Sequence, residues 1–297
     1  MADFKIIETK LPSMMTVSQA VGVINQPRGG YINPKDLEET AFEGDPIIDL
    51  SQENIHSSLI GLSVDYLSRY LLTKDKENSF DIPLKGVMAL QHYAYDIRLG
   101  MEYDFSNSYD LLDEEIAFTN YQEMYRKLLD NLDTELSDLC IASAAKLSGF
   151  DVAYRRGPEY FVGVDQIEPD DTTIEHIRQL TKRTVNMLKK YGKLVDAGFD
   201  FPKAYTRRII NADADYLTED TLWDLKVIKG KFGKGHIMQL LLYWRLGMKD
   251  SPKKFSKVKY IGIISPRHNK AYRYELSQIP QEFIDFLDYK VIGYKQK

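Results

Sequence analysis

Residues 211–226, "NADADYLTEDTLWDLK", bring together Asp213, Asp215, Asp224 and Lys226. The run reads as two strands joined by the turn "TEDT". Alternate side chains of a strand share a face. Asp213 and Asp215 therefore point one way, and Ala214 and Tyr216 the other. On the next strand Asp224 and Lys226 share a face, while Trp223, Leu225 and Val227 take the opposite, core face. In an antiparallel hairpin, carboxylates near Asp215 and Asp224 come within reach of one ion. Two facing carboxylates repel, which costs stability unless a cation lies between them. Oxygen ligands of this kind suit Mg²⁺ or Mn²⁺. A lysine one pleat away can orient an attacking water or stabilise charge on a phosphate, and these are the parts of metal-assisted phosphodiester hydrolysis. Asp215 is preferred to Asp213 because Tyr216–Leu217 carry the strand into the core. Asp213 is a second ligand or an edge acid.

The elements that must hold these residues follow from periodicity. Apolar residues at helical spacing mark helices over 54–72 and 120–132, so the first half reads as mainly helical, with residues 1–50 irregular or in short strands. From 133 onward the pattern is layered. A helix over 133–149 stops at Gly149, and "FDVAYRR" reads as a short strand. A long helix over 172–195 is capped by Thr172 and Glu175. "AYTRRIINADADYLT" and "TLWDLKVIKG" read as strands, and "GHIMQLLLYWRLG" (235–247) as a helix. "VKYIGIIS" and "KAYRYEL" form a hairpin across "PRHN", and a last helix begins at Pro280. The expected organisation is an N-terminal helical region, 1–132, followed by an α/β domain, 133–297.

The site residues together with the following helix resemble the PD-(D/E)XK nuclease superfamily, in its RecB-like branch. Asp215 matches the first acidic residue, and Asp224-Leu225-Lys226 the second motif, with Asp in place of the commoner Glu. Gln239 and Tyr243 in "QLLLYW" match the Gln-x-x-x-Tyr signature; at i and i+4 they share one helix face. The resemblance implies a restriction-endonuclease-like three-layer core, a mixed β-sheet flanked by helices in the order helix–strand–strand–strand–helix–strand. That order fits residues 133–275 if the 172–195 helix is an insertion. It also implies Mg²⁺ or Mn²⁺ held by Asp215, Asp224 and the Leu225 carbonyl, with Lys226 assisting the water and Gln239 and Tyr243 positioning substrate or the lysine. The family places a further acid on the helix before the first strand. Glu135 and Asp138 are the candidates, and Glu135 lies closer to the edge of the buried stripe formed by Leu136, Leu139, Cys140 and Leu147.

Other features bound the function. The net charge is −5 and the sequence pI about 5.7, so the chain as a whole does not announce nucleic acid. Residues 226–270, however, are rich in Lys and Arg and hold a single acid, Asp250, and local neutralisation is what phosphate contact requires. "KGKFGKG" (229–235) lacks the phosphate-loop pattern, because His236 stands where a metal-binding hydroxyl is required. No ATP site is expected. As a basic loop, Lys229, Lys231, Lys234 and the neighbouring His236 are candidates for nucleic-acid contact, or else a solvated turn and an ordinary helix-start histidine. Arg207, Arg208, Arg267 and Lys270 read by default as surface charge. One cysteine excludes an internal disulfide and an iron–sulfur cluster.

No apolar run reaches the length of a membrane span and no secretory leader is evident, so a cytoplasmic location is expected. The chain thus reads as a Mg²⁺-dependent DNA nuclease. The alternatives are a nuclease-fold protein that binds nucleic acid without cutting, in a phage, plasmid, defence or recombination setting, and an α/β domain whose acids are surface residues. A second copy of the chain, or a phage or plasmid protein, stands as a further partner.

Overall fold

A computed structural model describes residues 4–9, 11–98 and 114–296. In chain order it begins with β1 (Met15–Thr16), α1 (Val17–Val23) and β2 (Glu38–Ala41). Helices α2 (Ser57–Thr73), α3 (Lys76–Ser79), α4 (Asp81–Arg98), α5 (Glu114–Asp130), α6 (Asp138–Gly149), α7 (Asp151–Arg155) and α8 (Asp171–Lys190) follow. Next come β3 (Leu194–Phe199), β4 (Ile209–Asn211), β5 (Ala214–Thr218), β6 (Thr221–Leu225), α9 (Lys234–Asp250) and α10 (Pro252–Phe255). The chain closes with β7 (Tyr260–Ser265), β8 (Lys270–Glu275) and α11 (Gln281–Asp285), which runs on into a π-helical turn. The protein is therefore mixed α/β, with a mainly helical N-terminal half.

Contacts divide the chain into two units, one of residues 1–48 and 183–297, the other of residues 49–182. The expected boundary at 132/133 falls inside the second unit. The first unit takes strand β2 from near the N-terminus into its sheet, a long-range pairing that no local pattern announces.

The helical unit packs the apolar stripes of α2, α4 and α6, with Ile60, Val64, Leu67, Val87, Ile141 and Ala144 all buried. Helices α4 and α7 approach closely at Gly86, where a Cβ would lie 1.9 Å from the Phe150 carbonyl oxygen. The expected strand at 150–156 is instead α7. Phe150 is buried and stacks on Phe161, and the buried Asp151 accepts from the Tyr66 hydroxyl and pairs with Arg155 one helical turn on. An i,i+4 ion pair requires helix, and the short apolar run alone did not discriminate helix from strand. The cap of α8 also moves. Asp170, and not Thr172, accepts from the Thr173 N–H, at 2.8 Å, while Glu175 turns to Arg178 and Gln179.

The other unit carries a six-stranded mixed sheet in the order β2-β8-β7-β6-β5-β3. Only β6 and β7 run parallel, joined by the α9 crossover; every other neighbouring pair is antiparallel. Register places Leu217, Leu222, Ile261 and Tyr274 in one row and Tyr216, Trp223, Gly262 and Arg273 in the next. The first row joins the core with Leu240 and Leu241 of α9. In the second row, the ring of Tyr191, just after α8, packs tilted against Trp223 with centroids 4.7 Å apart, and the Trp223 indole donates to Thr218. Gly262 is required there, since a Cβ would meet the Trp223 ring at 2.4 Å. All five residues of β6 are buried. Both faces of β6 are therefore core, and the expectation of one buried and one open face is corrected: a central strand with a helix over it hides both sides.

Two further expectations change. The helix read as an insertion, α8, leads directly into β3, the first strand of the sheet. The segment "AYTRRIINADADYLT" is two strands: β4 pairs with β1 in a separate two-stranded ribbon, and β5 enters the main sheet. Asp213 lies between them.

Candidate functional site

The site forms where β5 and β6 part. Their pairing comprises Leu217↔Leu222 and Tyr216↔Trp223. The next pair in register would set Asp215 opposite Asp224 on the face covered by α9, and like charges directly opposite are destabilising. There the ladder gives way to a side-chain contact: Asp215 Oδ2 accepts from the Leu225 N–H at 2.7 Å. In an extended strand a residue's N–H and C=O point to the same side. The Leu225 carbonyl thus faces the edge occupied by Asp215.

Asp224 is buried, at 2 % exposure. Lys226 lies across its carboxylate, with Nζ donating to Oδ1 at 2.8 Å and standing 2.7 Å from Oδ2. Only the Oδ1 contact has hydrogen-bond geometry; Oδ2 is buried without a hydrogen bond. The lysine backbone is fixed as well, because its N–H donates to Ile264 of β7 at 2.9 Å. The next residue, Val227, is held by Arg267. That guanidinium is fully buried and donates to the carbonyls of Val227, at 3.4 Å, and Ile47, at 3.2 Å. The default reading of Arg267 as surface charge is thereby overturned. The sequence carried no signal for it, since the partners are backbone carbonyls remote in the chain.

Helix α9 presents Gln239 and Tyr243 on one face, with Gln239 Nε2 donating to the Tyr243 hydroxyl at 2.6 Å. Burial raises the Tyr243 phenol well above its ordinary range, and the charges of Asp224, Asp215 and Asp213 push it the same way. The tyrosine is thus a neutral hydroxyl within the field of all three carboxylates. His236, in the first turn of α9, has its pKa lowered by burial and then by Lys226, with Asp224 opposing.

The remaining sequence candidates separate. Glu135 is exposed in the turn before α6, in the helical unit, and is not among the residues that the sheet-bearing unit assembles. The stretch of α8 that belongs to the sheet unit, residues 183–190, contains no acid. In the loop 229–235, Phe232 is the anchor, its ring 4.7 Å from Tyr272 of β8. Lys229 and Lys231 remain exposed. Lys234 is turned inward, donating to the carbonyls of Pro27 at 3.0 Å and Gln26 at 3.5 Å, so it serves the fold and not an open basic loop. Much of the basic 226–270 run is likewise engaged internally. Arg245 forms a two-point pair with Asp288, Lys254 pairs with Asp196, and Lys270 with Glu39. Burial and then the charges of Lys270, Lys231 and Arg267 lower the His268 pKa, while a backbone hydrogen bond with Lys229 opposes them. Lys229, Lys231 and His268 thus lie together.

Among the described residues no group of three or more His, Cys, Asp and Glu side chains is arranged to hold a metal. The donors at the fork are instead two carboxylates and a main-chain carbonyl. Asp224 Oδ2 is buried without a hydrogen bond and is balanced by the Lys226 ammonium at 2.7 Å, a counter-charge whose place a cation would take. Such an all-oxygen, water-completed shell fits Mg²⁺ or Mn²⁺. No helix among the described residues is long and apolar enough to cross a membrane. No protein-family model matches the chain. No curated protein matches it, and no solved structure does.

Proposed function

We propose that the protein is a metal-dependent nuclease that hydrolyses DNA phosphodiester bonds, built on a PD-(D/E)XK core of the RecB-like kind. The observation that carries this reading is the fork itself: Asp215 bonded to the Leu225 N–H, Asp224 buried beside it, and Lys226 on the same face. The run α8–β3–β5–β6–α9–β7 supports it. It supplies helix–strand–strand–strand–helix–strand, with β4, which pairs outside the main sheet, and the short α10 as interruptions, and with the acids on the sheet face under α9.

Asp215, Asp224 and the Leu225 carbonyl would hold Mg²⁺ or Mn²⁺. The ion, when bound, polarises the phosphate and lowers the pKa of a coordinated water. Asp213, whose charge reaches Tyr243 alongside theirs, is a further acid that would take the place expected of Glu135. Lys226 would move from neutralising Asp224 to orienting the water or stabilising charge on the phosphate. Gln239 and Tyr243, hydrogen-bonded to each other, hold the α9 side of the site as neutral donors. Exposed Lys229 and Lys231 extend it along the strand edge toward phosphates farther from the reaction.

The test is cleavage of linear and circular, single- and double-stranded DNA with Mg²⁺ or Mn²⁺, comparing wild type with Asp224→Ala and Lys226→Ala. Cutting by the wild type alone is expected. A folded wild type that cuts nothing under either metal would transfer the reading to a nuclease-fold scaffold that binds nucleic acid without cleaving it.

A further inference from the structure

His236 is half-buried in the first turn of α9, three residues before Gln239 and seven before Tyr243, a spacing that places all three along one helix face. Its ring is oriented by a main-chain contact: the Gly233 N–H donates to Nδ1 at 3.1 Å. An imidazole nitrogen that accepts carries no proton, so in the neutral ring the proton sits on Nε2. The far side of the ring is therefore a fixed N–H donor, and it lies within the field of Lys226 and Asp224. Burial and then the Lys226 charge favour the neutral ring over an imidazolium, with Asp224 opposing.

We infer that His236 Nε2–H donates a hydrogen bond to a non-bridging oxygen of the phosphate that occupies the Asp215–Asp224–Lys226 fork, with the Gly233 N–H setting the tautomer. This rests on the nuclease reading and adds a substrate-contacting group to it. The geometry separates two duties of one side chain, which two substitutions divide. In His236→Asn the amide oxygen stands in for Nδ1 and keeps the Gly233 bond, but no donor reaches the Nε2 position. In His236→Gln an amide N–H reaches toward the Nε2 position, while the cap to Gly233 is lost.

The experiment measures kcat/KM on a linear DNA duplex with Mg²⁺ and the melting temperature of each variant, with Lys226→Ala as the control for the site. A donor to phosphate is worth roughly 10–100-fold. His236→Asn should lose that factor while melting like the wild type, and His236→Gln should recover most of the activity while melting lower. Crossed orders of activity and stability support the inference. Activity that follows stability, or wild-type activity in His236→Asn, overturns it and leaves the nuclease reading standing. If the wild type does not cut, the nuclease reading fails, and binding of the same duplex with Ca²⁺, followed by fluorescence anisotropy, decides. Tighter binding by His236→Gln than by His236→Asn supports the phosphate contact; equal binding, or none, overturns it.

Discussion

Replacing Lys226 by methionine should destabilise the metal-free protein by about 3 kcal/mol. The ammonium stands 2.7 Å from Asp224 Oδ2, and the two side chains are 18 % and 3 % exposed. At that separation, with an effective dielectric of about 20, the attraction is on the order of 6 kcal/mol. Part of it offsets the desolvation of both groups, and the lysine retains some water. The cost of stranding the carboxylate thus falls at the low end of the roughly 3–5 kcal/mol found when one member of a buried pair is removed. Asp224→Asn/Lys226→Met removes both charges and should recover about 2 kcal/mol of the loss.

For a unit of this size the single variant should melt roughly 6–12 °C below wild type. Mg²⁺ should stabilise Lys226→Met more than wild type, because the ion takes over the role of counter-charge, and should leave the double variant unmoved. Urea denaturation followed by tryptophan fluorescence is the assay, since both tryptophans, Trp223 and Trp244, lie in the sheet-bearing unit. Equal destabilisation of the single and double variants would refute the buried-charge argument. No added stabilisation of Lys226→Met by Mg²⁺ would refute the cation site.

Burial holds the Tyr243 proton in the folded protein past the pH at which an unfolded chain releases it. The resulting stability is intact below about pH 10 and lost as pH rises beyond it, so between pH 9 and 10.5 the urea midpoint of Tyr243→Phe should fall less than that of wild type. Arg267→Ala strands the Val227 and Ile47 carbonyls and should cost on the order of 3 kcal/mol. Arg267→Lys should restore only part of this, because one ammonium cannot reproduce the guanidinium fork; the same denaturation curves measure both. The Cys140 thiol, pushed up to about 11 chiefly by burial, should react slowly with a disulfide reagent at pH 8 until urea is added, because the thiolate is the nucleophile. Labelling of the native protein at the rate of a free thiol would contradict its burial.

Local chemistry was legible in the residues themselves. A two-residue period placed Asp215 and Asp224 on facing strands, and a four-residue step placed Gln239 with Tyr243, which indeed share a hydrogen bond. The hairpin across "PRHN" and the helix of α9 were equally plain, since each is set by neighbours a few residues away. Glu135 was read onto a helix start that the chain instead makes a turn, its backbone N–H bonded to Asp133. The strand expected at 150–156 became helix through Tyr66 and Arg155, one of them 85 residues distant.

Sequence by itself thus determined which side chains share a face, because side-chain direction repeats with the backbone period. Tertiary structure decided which faces meet. Strand β2 joins β8 across more than two hundred residues, Arg267 is buried against carbonyls of loops far away in the chain, and Lys234 turns inward to Pro27. Those choices rest on main-chain hydrogen bonds and burial. Backbone amides and carbonyls are the same in every residue but proline, which lacks the N–H, so the pattern of residue types scarcely records where they pair.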